Sequence, residues 1–348
     1  MNPYVLCILL SSLGLGTTIT FASSHWLLAW MGLEINTLAI LPLMAQHHHP
    51  RAVEATTKYF LTQATAAALL LFASTTNAWM TGEWDIQNLT HPLANTIAIL
   101  ALALKIGLAP AHFWLPEVLQ GLDLTTGLIL STWQKLAPFA LILQMSSANP
   151  SLLMLLGFLS ILVGGWGGLN QTQLRKVLAY SSIAHLGWMI LIMQFAPTLT
   201  LLALLVYIIM TAATFLTFKT NNVKSINALA TSWAKAPALT ALVPLSLLSL
   251  GGLPPLTGFM PKWLILQELT KQNFLLIATL AALAALLSLY FYLRLCYAIA
   301  LTMAPNSTSA PAPWRLFTPR RGLLLSLMMM LSLSLLPLTP TALTVLTP

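Results

Sequence analysis

Long apolar runs, separated by short polar or basic connections, follow one another along the chain of 348 residues. A helix of about 20 mainly apolar residues crosses the hydrocarbon core of a bilayer, so the pattern predicts about eleven membrane-spanning helices. We therefore predict an all-α fold, a polytopic membrane bundle that forms one integral domain. The predicted spans are 3–21, 25–45, 56–77, 94–118, 123–144, 151–170, 177–195, 199–219, 237–271, 274–301 and 322–345.

Two of these spans are interrupted by glycine and proline. The first, 94–118, contains Gly-Leu-Ala-Pro and then Pro-Glu, and the second, 237–271, contains Gly-Gly-Leu-Pro and then Pro-Lys. The breaks are five spans apart, so units of five helices would run in opposite directions. Inverted repeats with interrupted helices in corresponding positions point to a transport site. We expect repeat one at about 1–145, repeat two at about 150–301 and a C-terminal helix at about 322–345.

Composition and charge exclude a soluble globular domain. Hydrophobic residues make up 58% of the chain and charged residues 6%, against about 25% charged residues in soluble domains. The formal net charge is +8. Its cations lie mainly in short loops, where they set the orientation of the helices, so the charge does not require a nucleic-acid partner.

The loop cations fall almost entirely on one side of the predicted membrane. The side shared by the N-terminus and the even-numbered loops collects ten cations, against Lys271 alone on the other. Cytoplasmic or matrix loops carry the excess of Lys and Arg, so we expect the N-terminus on that side. The ten cations are Arg51, Lys58, Arg175, Lys176, Lys219, Lys224, Lys235, Arg315, Arg320 and Arg321. The last three lie in the loop 302–321, which we expect to be a surface connector.

Four charged side chains lie inside predicted spans: Glu34, Lys105, Lys135 and Lys262. A charge at the centre of a membrane helix costs about 2.5–3.5 kcal/mol on insertion scales, so it faces protein or a water-filled cavity. One carboxylate cannot neutralise three lysines, so at least two lysines must stay hydrated, deprotonate or share a proton. We interpret the four residues as groups along an ion path. The alternative is a set of structural ion pairs that hold the helices in register.

Two histidines are further candidates for this path. His185 lies mid-span, and His112 follows the first break, from which it could carry protons toward the positively charged side. An imidazole changes charge near neutral pH, which suits a relay between lysines. A lone histidine on an apolar helix is often a satisfied core residue instead, and this alternative stays open.

The sequence has no motif for redox chemistry. It has no Gly-rich dinucleotide loop after a strand, no P-loop and no cysteine cluster suited to an iron–sulfur centre. We expect no cofactor and no metal in this chain, and an ion path that is driven from outside it. The N-terminus has no basic region or cleavage site, so we expect residues 3–21 to be a retained span and not a signal peptide.

Four stretches resemble a known family: Trp30–Glu34, Lys105–Glu117, Tyr180–Gly187 and Gly251–Trp263. In these stretches the chain resembles the antiporter-like membrane subunits of NADH:ubiquinone oxidoreductase (respiratory complex I), a family shared with cation/proton antiporters. The eleven-span count resembles the animal form, which lacks three N-terminal helices of the bacterial members. The resemblance implies a mitochondrially encoded chain in the inner membrane, with its N-terminus on the matrix side.

The resemblance also implies roles for the charged residues. Glu34 looks like the glutamate that pairs with the lysine of the first broken helix, here Lys105. Lys135 matches the connecting lysine on the next helix, and Lys262 matches the charged residue that exchanges protons with one aqueous side. His185 falls where the family places a polar residue on the central hydrated axis.

The family implies a division of labour between subunits. NADH, FMN, iron–sulfur clusters and ubiquinone would be bound by other subunits. The partners would be other membrane-arm subunits, antiporter-like ones among them, and lipids, with cardiolipin as a candidate. We predict a proton-translocating subunit. The alternatives are a stand-alone cation/proton antiporter, which would exchange ions without redox partners, and a structural scaffold whose charges only lock the packing.

Overall fold

The structure is a computed structural model that describes residues 2–46, 48–145, 149–234, 237–301 and 322–346. Within these ranges the regular structure is helical, apart from two isolated β-bridges. The predicted all-α fold is therefore confirmed. The helices are α1 (Pro3–Ala22), α2 (Trp26–Met44), α3 (Pro50–Thr81), α4 (Pro92–Ile106), α5 (Trp114–Gly121), α6 (Leu124–Met145), α7 (Pro150–Gly168), α8 (Leu174–Ile192), α9 (Pro197–Asn221), α10 (Ile226–Ala230), α11 (Pro237–Gly251), α12 (Phe259–Lys271), α13 (Leu275–Ala300), α14 (Leu323–Ser334) and α15 (Thr339–Leu346).

Six of the described helices are both long enough and apolar enough to cross a membrane by themselves: α1, α2, α6, α7, α9 and α13. This count is lower than the predicted eleven for two reasons. The helices α3 and α8 are long, but polar and charged residues such as Lys58 and Arg175 lower their hydropathy. The helices α4 and α11 have 15 residues each because their spans are broken.

The predicted C-terminal helix at 322–345 is present as a bent pair of helices. Its two halves, Leu323–Ser334 and Leu336–Val345, are bent by 70°. Pro337 lies in the 3-10 turn between them, Leu336–Leu338, and a proline removes a backbone donor and clashes with the preceding turn. The predicted surface connector at 302–321, with Arg315, Arg320 and Arg321, lies outside the described residues, as does Lys235.

The first of two compact units is Met1–Ser160. In it, α1 lies against α2, and a Cβ added to Gly16 would be 2.9 Å from the carbonyl oxygen of Gly32. Small residues allow such close approach of membrane helices. The helix α3 packs against α4 and α5, while α6 packs against α1, α2 and α4. The first broken span is thereby held in contact with α3 and α6.

The second compact unit is Ile161–Pro348. Its helix α9 packs against α8, α11, α12, α14 and α15, and α13 packs against α8, α10, α11 and α12. Thr257, in the second break, donates its hydroxyl to the carbonyl oxygen of Ser332 in α14 at 2.6 Å. The second broken span is thus surrounded by helices of its own unit.

Candidate functional site

The first break begins at a left-handed glycine. Gly107 has φ +86° and ends α4. The N–H groups of Gly107 and Leu108 both donate to the carbonyl oxygen of Ala103, at 2.9 Å each. Glycine adopts this conformation without the Cβ clash that other residues meet, and the two bonds give the helix end partners that lipid cannot supply.

Side chains provide hydrogen-bond partners for other backbone groups at this break that lack a partner within the helix. The indole N–H of Trp114 donates to the carbonyl oxygen of Leu104 at 3.0 Å, and Gln63 Nε2 donates to that of Lys105 at 3.4 Å. Beyond the glycine, the N–H of Ala109 donates to Ser160 Oγ at 3.0 Å. The break is therefore a built feature with satisfied backbone groups.

The second break has the same cap. Gly252, with φ +78°, donates its N–H to the carbonyl oxygens of Leu248 and Ser249 at 3.1 Å each, and Leu253 donates to Leu248 at 3.3 Å. The two predicted broken spans are thus both present. When Gly252 is matched to Gly107, Pro-Lys at 261–262 coincides with Pro-Glu at 116–117.

Two predicted lysines meet at one cavity in the first unit. Lys105 is in the last turn of α4 and is 6% exposed, and Lys135 is in α6 and is 4% exposed. Both line a small cavity, in which the centre of a water molecule can occupy a volume of about 20 Å³. Such a volume holds a water molecule, which needs roughly 10–15 Å³ by this measure.

The Lys105 ammonium has no hydrogen-bond partner among the described residues. A buried ammonium without a partner is unfavourable unless water solvates it or the group loses its charge. Lys105 therefore combines an unpartnered ammonium with a place in the lining of a water-sized cavity.

Glu34 does not form a direct ion pair with Lys105. The described ion pairs within 4.0 Å involve Lys58 and Lys271 instead. The Glu34 carboxylate is half-buried on α2 and accepts a hydrogen bond from the Thr37 hydroxyl at 2.8 Å. Thr37 itself lines the Lys105 cavity. The predicted Glu34–Lys105 pairing remains a prediction, and Thr37 lies between the carboxylate and the cavity.

In the second unit, Lys262 folds back on its own broken span. Its ammonium donates to the carbonyl oxygen of Gly251, the last residue of α11, at 2.7 Å. A cation at a helix C-terminus is favourable because the terminal carbonyls carry partial negative charge. Lys262 and His185 line one narrow crevice, in which the described residues leave no room for a water molecule. The His185 ring lies 5.7 Å from that of Tyr207.

Profiles of known families match this chain along most of its length. The profile described as NADH:quinone oxidoreductase/Mrp antiporter, TM, matches residues 23–288, and that of the NADH dehydrogenase subunit 2 C-terminus matches 289–343. The chain belongs to the NADH:quinone oxidoreductase/Mrp antiporter family. The resemblance inferred from the four sequence stretches is confirmed.

Relatives of the family are similar to the chain over its full length. NADH-ubiquinone oxidoreductase chain 2 of Salmo salar is 74% identical over 348 residues, which is 100% of both chains. The protein of the same name from Danio rerio is 66% identical over 341 residues, covering 98% of this chain and 98% of its own. No large insertion or deletion therefore separates the chain from these relatives.

Solved structures of membrane complexes contain chains with the same fold. A chain in respiratory complex I from Thermus thermophilus with bound aureothin has a TM-score of 0.85 and 30% identity, covering 99% of this chain and 81% of that one. A chain in the Mrp complex from Dietzia sp. DQ12-45-1b has a TM-score of 0.82 and 18% identity, covering 97% of this chain and 76% of that one. The second likeness shows the fold alone.

His112, the remaining predicted site residue, does not line the cavity that Lys105 and Lys135 share. It is 4% exposed, its Nδ1 lies 3.2 Å from the carbonyl oxygen of Pro110, and its ring packs on Phe113 at 4.3 Å. From the same segment, Trp114 reaches the cavity. The predicted route through His112 stays a prediction.

Sequence reasoning missed the neutral polar lining of the cavity. Asn36, Tyr59, Gln63 and Gln134 line it beside the two lysines. The sequence did contain a signal for these lining residues. Asn36 and Gln134 are amides within apolar spans, and they lie close in sequence to Glu34 and Lys135, respectively. The site residues were predicted from charged side chains, and these amides are uncharged.

Proposed function

We propose that the chain is a proton-translocating membrane-arm subunit of respiratory NADH:ubiquinone oxidoreductase. The observation that carries the proposal is the pair of buried lysines, Lys105 and Lys135, at one water-sized cavity beside a broken helix. Full-length similarity to proteins named NADH-ubiquinone oxidoreductase chain 2 supports the assignment to that enzyme. The apolar helices support a location in a membrane, which is the mitochondrial inner membrane, with the N-terminus on the matrix side.

Protons move along a chain of buried basic and acidic groups in this proposal. A water in the cavity takes a proton from the Lys105 ammonium and gives one to the neutral amine of Lys135, so the water is regenerated. Glu34 supplies the negative charge that favours the protonated lysine. Lys262 and His185 pass protons onward in the second unit, and His112 serves the positively flanked side.

The driving force comes from other subunits. NADH, FMN, iron–sulfur clusters and ubiquinone are bound there, since this chain has no motif that would hold them. Its partners are the other membrane-arm subunits, including antiporter-like ones, and lipids such as cardiolipin. Coupling requires an element with two states that both sites bias, and the broken spans are the candidates for that element.

The proposal is tested by proton pumping in the assembled, reconstituted enzyme. Substitution of Lys135→Ala is expected to lower the rate of proton translocation about tenfold or more, because positioned proton-transfer groups contribute at least that much. The matched control is Lys271→Ala, which removes a surface ion pair with Glu268 at 3.2 Å and should leave pumping unchanged. An unchanged ratio of protons to electrons in assembled Lys135→Ala enzyme would contradict the role.

Two further experiments separate the alternatives. A stand-alone antiporter predicts cation/proton exchange by the purified chain in vesicles, without redox partners. A scaffold predicts that Glu34→Gln combined with Lys105→Met leaves turnover and pumping intact. The proposal expects no exchange in the first assay and lost pumping in the second.

A further inference from the structure

Asn36 is a buried amide whose hydrogen-bonding groups have no partners in the structure. It lies on α2, is 2% exposed, and neither Oδ1 nor Nδ2 has a hydrogen-bond partner among the described residues. Leaving a buried polar group unsatisfied costs free energy, so such a group calls for a partner that the protein atoms do not provide. The residue lines the same cavity as Lys105 and Lys135.

The cavity is suited to supply that partner. The centre of a water molecule can occupy about 20 Å³ of this cavity, which is enough for one water molecule. Lys105 also lines this space, and its ammonium has no hydrogen-bond partner among the described residues. Two nine-tenths buried residues with unsatisfied polar groups therefore line one space of water size, and a water shared between them would satisfy both.

The backbone around Asn36 is held in place. Its carbonyl oxygen accepts a hydrogen bond from Gln134 Nε2 at 3.2 Å, and Gln134 precedes Lys135 in α6. On the other side, its Oδ1 lies 2.5 Å from the position of a Cβ added to Gly16. The side chain of Asn36 thus lies close to α1, and its backbone is bonded to α6, the helix that carries Lys135.

We propose that Asn36 is a positioning residue whose amide holds a water between Lys105 and Lys135. The inference rests on the proposed proton translocation and deepens it. An amide suits the task because it donates and accepts hydrogen bonds but does not titrate, so it orients the water without capturing the proton. In the transfer an N–H bond of Lys105 breaks as an O–H bond forms, and another O–H bond breaks as an N–H bond of Lys135 forms.

The test compares three variants in the assembled, reconstituted enzyme. Asn36→Ala removes the amide and is expected to slow proton translocation about fivefold, the equivalent of one hydrogen bond. Asn36→Ser keeps a hydroxyl and should restore most of the rate. The matched control is Asn95→Ala, because Asn95 is 3% exposed on α4, has an unpartnered Oδ1 and does not line the cavity.

The outcomes separate this inference from the proposed function. Normal pumping by Asn36→Ala, or an equal loss in Asn95→Ala, overturns the positioning role even when Lys135→Ala is inactive. Normal pumping by Lys135→Ala overturns the proposed function itself. If the Asn36 variants fail to assemble, a high-resolution map of the unaltered enzyme decides. Ordered water density within hydrogen-bonding distance of the Asn36 amide and Lys105 supports the role, and its absence refutes it.

Discussion

The two broken spans share a backbone cap but place their lysines on opposite sides of it. Gly107 and Gly252 both have positive φ and close the same type of helix end. Lys105 precedes the first glycine by two residues, whereas Lys262 follows the second by ten. At the matched positions the first break has Glu117 in place of Lys262, and the second has Leu250 in place of Lys105.

This difference gives the two ammonium groups different surroundings. Lys105 has no hydrogen-bond partner among the described residues and lines a cavity with room for water. Lys262 is bonded to the carbonyl oxygen of Gly251, in a crevice without such room. The same type of cap therefore accompanies a lysine without a hydrogen-bond partner among the described residues in one unit and a lysine bonded to the helix end in the other.

The largest difference between the two breaks is expected when each lysine is replaced by methionine in a separate variant. In Lys262→Met the Gly251 carbonyl oxygen loses a charged donor, a bond that typically contributes about 1.5–3 kcal/mol. In Lys105→Met no hydrogen bond to a described protein group is lost, so the stability should stay the same or rise, since a buried charge without a protein partner is removed. Thermal unfolding of the assembled enzyme measures the first effect, and proton pumping measures the loss expected in both variants. Equal destabilisation of the two variants would contradict the distinction.

A smaller effect is expected when each cap glycine is replaced by alanine. The left-handed conformation costs a residue with a Cβ about 1–2 kcal/mol. In Gly252→Ala the new Cβ would also lie 3.1 Å from the carbonyl oxygen of Gly258, which cannot move easily, whereas at Gly107 the near atoms belong to the side chains of Leu115 and Trp114. Gly252→Ala should therefore lower the unfolding temperature more than Gly107→Ala.

The control for the glycine pair is Gly14→Ala. Gly14 lies within α1, and nothing lies within 4 Å of a Cβ built there. Alanine is favoured over glycine inside a helix, so this variant should be neutral or slightly stabilising. A loss as large as that of Gly252→Ala would mean that the cap geometry does not cause the effect.

The sequence predicted the spans and their breaks because apolar runs, glycines and prolines act locally. It also identified Lys105 and Lys135, since buried charges stand out in apolar helices. The bend at Pro337 was missed, although a proline within an apolar run is a local signal. The bond from Lys262 to Gly251 depends on how the chain turns back after the break. The partnerless state of Asn36 depends on helices that meet only in the folded unit, and no local pattern encodes either feature.

The smallest expected effect concerns the charged residue of the first break that takes the place of Lys262. Glu117 Oε2 lies 2.8 Å from Lys58 Nζ, and Lys58 also pairs with Glu54 at 2.7 Å, all at exposed positions. Exposed ion pairs contribute little and are screened by salt. Glu117→Gln should therefore shift the unfolding temperature only slightly, and the shift should disappear at high ionic strength. A salt-independent loss of pumping in Glu117→Gln would place the carboxylate on the proton path, and the first break would then carry exchangeable groups on both sides of its glycine.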